Sequence, residues 1–208
     1  METSLIVIIV IGVLLIVVVA KVKMNKDLKI KLGKTSLQAA LDSLEHFDVS
    51  IHHINPLSGF IAASHDYRKL AVCYLESIPL VYPYTSLIKC EIIQDGETSY
   101  SKSTASTIGR AAVGALFAGG AGLLLGGMSA AQKKKIKIKK LHLKLFFRDL
   151  DNPSFTLTFF ESYDQSKGTS PIDNVDGKDL VKALEEINKW KDVLEVIIDS
   201  NLSAVGDE

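Results

Sequence analysis

The sequence predicts an α+β chain: an N-terminal transmembrane helix, a short second helix, an antiparallel β-barrel or sandwich, and a long C-terminal amphipathic helix. Three observations carry that prediction. Thr3 to Ala20 holds no charged residue and is dominated by Ile, Val and Leu. Between about residues 49 and 159 the apolar period is two, with tight-turn residues between the runs. From about Lys178 to Asp199 the period lengthens to that of a helix, with Leu180, Leu184, Ile187, Leu194 and Ile197 on one face.

The N-terminal run is long enough to matter. As a helix its eighteen residues span about 27 Å, close to the hydrocarbon core of about 30 Å, and flanking lysines can snorkel. Met1-Glu2 supplies no basic start and Val18-Val19-Ala20-Lys21 no small-x-small site, so a cleaved signal peptide is not expected. Lys21, Lys23, Lys26, Lys29 and Lys31 follow the run and only Glu2 precedes it. Positive-inside logic then places the N-terminus outside and the remaining chain on the cytosolic side of the inner membrane, in a single pass. The expected division is an anchor over 1–22, a basic linker over 23–34, a domain over 35–199 and a tail over 200–208.

Overall charge excludes one function class. Lys+Arg and Asp+Glu are both 24, so no net field draws a polyanion, and no nucleic acid is expected. Cys73 and Cys90 fall in strand-like runs, where buried free thiols suit a reducing compartment.

Taken in order, Thr35 or Ser36 can cap a short helix whose Leu37, Ala40, Leu41 and Leu44 share a face. A strand starts at Val49. His52 and His53 are adjacent on it, so they point to opposite faces and make a poor metal pair. Gly59–Ala63 and Lys69–Leu75 flank a polar turn and read as a hairpin. Pro79 and Pro83 punctuate the approach to a strand over Leu87–Ile93, and Asp95-Gly96 signals a tight turn. Leu141, Leu143, Leu145 and Phe147 alternate out of phase with Ile136 and Ile138, which predicts a bulge at Lys139-Lys140. Asp149 to Pro153 is a turn before Phe155, Leu157 and Phe159. Asp176 can cap the last helix.

Between the strands lies an apolar insert over 101–132. Seven glycines fall between Ile108 and Met128, and Arg110 is the only charge there. Six lysines follow in the eight residues from Lys133 to Lys140. Apolar surface beside a dense positive field suits an anionic membrane. The candidate lipid contacts are therefore Arg110, Leu116, Phe117, Leu123, Leu124, Leu125, Lys133, Lys134, Lys135, Lys137, Lys139 and Lys140. Ala118, Gly122 and Gly126 recur every four residues, a spacing that lets helices pack closely. Three forms of the insert stay open: a re-entrant or surface-lying segment, a loop packed on protein, and a second span. The lysine block resists crossing, which counts against the last. Gly119-Gly120-Ala121-Gly122 lacks the Lys-Ser/Thr of a phosphate loop.

Short strands closed by one long amphipathic helix give the element order of a pleckstrin-homology (PH)-like barrel. Particular motifs point the same way. Tyr82-Pro83-Tyr84-Thr85-Ser86-Leu87-Ile88, Glu91-Ile92-Ile93-Gln94-Asp95-Gly96 and Ile108-Gly109-Arg110-Ala111 precede the glycine run and Lys133-Lys134-Lys135. Asn152-Pro153, then Trp190 with Ile197-Ile198, complete the series. Over roughly Leu57 to Asp199 this resembles a family of uncharacterised bacterial and prophage membrane-anchored proteins with a PH-like domain and a Gly-rich apolar insert. The short C-terminal oligomerisation motif that some of them carry is absent here. The resemblance implies a fold and no particular activity.

No catalytic constellation is legible: there is no Gly-x-Ser-x-Gly elbow, His-Glu-x-x-His motif or dinucleotide fingerprint. No catalytic, metal or cofactor site is expected. Two non-enzymatic roles follow. One is an adaptor that binds anionic lipid headgroups or a protein partner at the membrane surface. The other is an effector that self-associates through the glycine run and perturbs the membrane, as a phage-defence or exclusion component.

Overall fold

Two four-stranded antiparallel sheets and two helices form the computed structural model, which describes residues 21, 24–25, 27–104, 138–162 and 177–205. The anchor over Thr3–Ala20 lies outside these residues. Among those described, no helix is long and apolar enough to cross a membrane.

Helix α1 covers residues 27–42, and residues 21 and 24–25 are helical as well. The basic linker expected over 23–34 is thus helical from 27 onward. Lys and Leu are good helix formers and no proline interrupts them, so nothing stops the helix at the predicted cap. Thr35 sits mid-helix, its Oγ1 donating to the Lys31 carbonyl at 3.0 Å.

The first sheet has the order β1-β2-β3-β4 over Ile51–Asn55, Gly59–Ser64, Lys69–Tyr74 and Leu80–Pro83. Both faces of its centre are buried. Ile61, Ala63, Leu70 and Val72 face the main core, whereas Phe60, Ala62, Ala71 and Cys73 pack with Leu37, Leu41 and Phe47. That is why β2 reads as a continuous apolar run, with no polar alternate. The apolar face of the short helix, Leu37 and Leu41, thus covers a face of this sheet.

A 3-10 turn over Tyr84–Ser86 leads into the second sheet, ordered β6-β5-β7-β8. Its strands are β5 Leu87–Gln94, β6 Glu97–Ser103, β7 Lys140–Phe147 and β8 Ser154–Glu161. Asp95 and Gly96 adopt positive φ of 52° and 93° at the β5–β6 hairpin, as the Asp-Gly pair predicts. Asp95 also fixes the start of β7: its Oδ1 accepts the Lys139 and Lys140 amides, both at 2.8 Å. β7 therefore begins at Lys140, and the bulge expected at Lys139-Lys140 is not needed. The register shift falls two residues later, opposite β8, where Leu141 pairs with Phe160 and His142 with Thr158. It lets Phe159 and Phe160 both be buried.

Helix α2 runs over Gly177–Val205 and lays its predicted stripe, with Trp190 fully buried, against β5, β6, β8 and the 3-10 turn. It is longer than expected, which corrects the free tail at 200–205. Asn201 is buried and its Nδ2 donates to the Tyr84 and Leu87 carbonyls at 2.8 and 3.1 Å. The cap at Asp176 lies outside the described residues.

The sheets meet at a crossing. The Thr156 amide on β8 donates to the Tyr74 hydroxyl of β3 at 3.0 Å, and the Thr158 carbonyl accepts from Asn55 Nδ2 of β1 at 2.7 Å. Side chains of the first sheet thus satisfy the open edge of β8, a site otherwise exposed to foreign strands.

Candidate membrane-facing site

Of the lipid contacts expected from sequence, Lys139 and Lys140 are placed, both exposed. Their amides clasp Asp95, and the Lys140 ammonium pairs with Glu161 at 2.6 Å. Lys140 thus meets a carboxylate of its own domain while its side chain stays half exposed. Arg110, Leu116, Phe117, Ala118, Gly122, Leu123, Leu124, Leu125, Gly126, Lys133, Lys134, Lys135 and Lys137 lie outside the described residues.

What the fold does place is the pair of points where the insert leaves and rejoins the domain. The Thr104 amide donates to the Ile88 carbonyl at 2.8 Å, at the start of β5. Lys139 and Lys140 sit beside Asp95, past its end. Since β6 and β7 both run antiparallel to β5, they are parallel to each other. A parallel pair needs a crossover, and over six residues of strand its two ends lie about 20 Å apart.

The other marked feature is the end of the first sheet from which α1 departs. A Cβ on Gly33 would meet the Pro56 carbonyl oxygen at 2.1 Å, so glycine alone lets helix and loop touch. Leu75 N donates to the Ser58 carbonyl at 3.0 Å, which binds the β1–β2 and β3–β4 loops side by side. The His46 carbonyl, past the other end of α1, meets Lys69. The helix therefore enters at the Pro56–Leu75 end and runs away from it. At that entry end Leu57 is 54% exposed and Ile78 85% exposed. Lys29, Lys31 and Lys34 lie exposed on the adjoining turns of α1.

Beside Ile78 a cavity of about 200 Å³ opens, lined by Tyr74, Leu80, Tyr82, Phe147 and Phe155 among others. Tyr82 stacks on Phe147 with centroids 4.1 Å apart and donates to Asp149 at 2.9 Å. Burial and that carboxylate push its phenol up to about 12. The cavity therefore offers aromatic walls and no ionised nucleophile. Sequence reasoning missed this end because Leu57 and Ile78 sit alone in loops, with no periodicity to mark them.

The titratable groups elsewhere are locked into packing. Burial holds the His53 imidazole down at about 4, with His52 and Lys182 adding to the effect, and its ring stacks on Phe159 at 4.0 Å. The Glu186 carboxylate is 4.0 Å from His53, too distant to offset that burial. Burial first, with Glu195 adding, pushes the Cys90 thiol up to about 12, and burial also raises Cys73. Both cysteines are free and buried. Among the described residues no group of three or more His, Cys, Asp or Glu is placed to hold a metal.

Comparison with known proteins bears on the same regions. A family model described as "glycine zipper containing PH domain" matches residues 48–161. The chain is 27% identical over 204 residues to an "Immunity protein" of Bacillus phage SPbeta, spanning 90% of this chain and 96% of that one. It is equally similar, 27% over 204 residues, to an SPbeta prophage-derived uncharacterized membrane protein of Bacillus subtilis (strain 168). That match spans 90% of this chain and 85% of the relative. No solved structure matches.

Proposed function

The chain belongs to the family of glycine-zipper-containing PH domains, and from that membership we propose a membrane-tethered, non-enzymatic binding module at the cytoplasmic membrane surface. The observation that carries the reading is α1. It follows an uncharged run of eighteen residues, and its Leu37 and Leu41 pack against the first sheet, which supports a short tether between that run and the domain. The lysine block over Lys133–Lys140 adds attraction to anionic headgroups, at about 1 kcal/mol per lysine near the surface. A relative named as an immunity protein supports a protective role, in which the module meets an incoming agent or its target at the membrane.

Vesicle flotation tests the lipid part. A chain begun at Met24 keeps the helix that covers the first sheet and lacks the anchor. It is expected to float with anionic vesicles at low salt, to be released at high salt, and to ignore neutral ones. Absence of flotation with any vesicle would remove lipid from the proposal and leave a protein partner.

A second reading makes the glycine run itself the effector, self-associating in the bilayer. The repeat of Ala118, Gly122 and Gly126 favours it, as does the zipper in the family's description. Gly122→Leu with Gly126→Leu separates the two: it leaves a binding module active and abolishes a function that depends on close helix packing.

A further inference from the structure

We propose that the outer face of α1 is a seam for a second copy of this chain, the two helices lying side by side and parallel. The parallel sense rests on the tether proposed above, since copies held by the same run in one membrane leave it in the same direction. The face of α1 turned to the first sheet holds Gly33, Leu37 and Leu41. On the opposite face Leu28, Leu32, Thr35 and Ala39 follow one another four, three and four residues apart. That spacing keeps one line of side chains along a supercoiled pair. All four are exposed, Leu28 by 53% and Leu32 by 61%. The Thr35 hydroxyl already donates to the Lys31 carbonyl, so burying it strands no donor.

Width and charge favour a helix over a lipid surface as the occupant. Lys31 and Ser36, both exposed, border the line closely, whereas a helix lying in a bilayer interface presents a broad apolar face. With Leu32 at a heptad a position and Leu28 and Thr35 at d, Met24 and Lys31 fall at g, Lys29 and Ser36 at e. A parallel pair sets each g beside the next e of the other helix. Met24 then meets the apolar stem of the partner's Lys29, and Lys31 meets the partner's Ser36. No two lysines oppose each other, and Asn25 falls at a, where a single polar residue fixes register. The seam is short: eleven residues from Leu28 to Ala39 advance about 17 Å along the helix. That is too little to bury the roughly 800 Å² per partner of a stable soluble complex. Confinement to one membrane supplies the effective concentration that so small a contact needs. The domains do not obstruct it, because each first sheet packs on the far side of its own helix.

The test uses the full chain in inverted bacterial membrane vesicles. Cysteines are introduced one at a time as Leu28→Cys, Leu32→Cys and Ala39→Cys on the seam, and as Asp27→Cys and Lys34→Cys off it, then oxidised with copper phenanthroline. Cys73 and Cys90 are buried, and the unsubstituted chain oxidised in parallel measures their background. Disulfide-linked dimer at the three seam positions is expected to exceed that at 27 and 34 at least threefold. Leu28→Glu with Leu32→Glu is expected to lower the Ala39→Cys dimer at least threefold while the chain stays in the membrane fraction. The seam pattern is expected to persist when Gly122→Leu and Gly126→Leu are added, and its loss there overturns the seam and assigns pairing to the glycine run. Equal dimer at all five positions, in chains that sediment with the membranes, overturns the seam and leaves the tether standing. Seam cysteines that form no dimer and are shielded from a membrane-impermeant maleimide also overturn it, and give the face to lipid. Absence of the full chain from the membrane fraction removes the tether and the parallel pair with it.

Discussion

Asn201→Ala is expected to destabilise the domain by about 2–3 kcal/mol, although Asn201 lies in a stretch whose sequence reads as a free tail. Its Nδ2 donates to two carbonyls, Tyr84 at 2.8 Å and Leu87 at 3.1 Å, in a buried setting. Each hydrogen bond contributes about 1 kcal/mol net. The Tyr84 carbonyl keeps a second partner, the Leu87 amide, so its desolvation cost is small. The Leu87 carbonyl and the lost side-chain volume add the remainder, about 1 kcal/mol at most. For a chain of this size that is a fall in Tm of about 5–10 °C. Trp190 is the single tryptophan and is fully buried on the same helix, so its emission reports the loss of packing in a denaturant titration. Asn201→Asp should be at least as harmful, because a carboxylate cannot donate to either carbonyl. A midpoint unchanged for Asn201→Ala, with the slope also unchanged, would refute the docking of α2 onto the 3-10 turn.

Further outcomes test other contacts. Gly33→Ala should destabilise by about 1–2 kcal/mol: the Cβ sits 2.1 Å from a backbone oxygen, and that overpacking outweighs the roughly 1 kcal/mol gain in helix propensity. A more stable variant would mean that α1 does not press on Pro56. His53 gives a pH signature. Its folded value is about 4 against an ordinary 6.5, so between those limits the unfolded chain binds the extra proton. Stability should be flat above pH 6.5 and fall by about 2–3 kcal/mol on descending to pH 4. His142, lowered mainly by burial, adds in the same direction. His53→Phe should flatten most of that fall in thermal melts, and an unaltered slope would place the proton uptake elsewhere.

The fold's periodic parts were legible in the sequence and its side-chain ties were not. Alternation exposed β7 and β8, Asp95-Gly96 exposed their neighbouring hairpin, and the Leu180-to-Ile197 stripe exposed α2. Each is a local pattern that burial of one face imposes. The limits of both helices failed for a different reason. Residues 23–34 read first as a lysine cluster, although Met24, Leu28 and Leu32 recur every four residues among them, and 200–205 carry only Leu202 and Val205 as large aliphatics. Their structure depends on single contacts, Gly33 with Pro56 and Asn201 with the 3-10 turn, between residues far apart in sequence. Leu57 and Ile78 escaped notice because an isolated loop aliphatic carries no pattern until its neighbours in space are known. The lysine block was legible as charge. That Lys140 pairs with Glu161 across β7 and β8 required the register.

Membrane attachment of the whole chain is the claim on which the proposed function stands. The most direct measurement is alkaline carbonate extraction of bacterial membranes containing the full chain, with protease added to intact spheroplasts. The account predicts that the chain stays in the membrane pellet, that a tag before Met1 is cleaved from outside, and that the domain is protected until the cells are opened. Release of intact chain into the carbonate supernatant would contradict the tether.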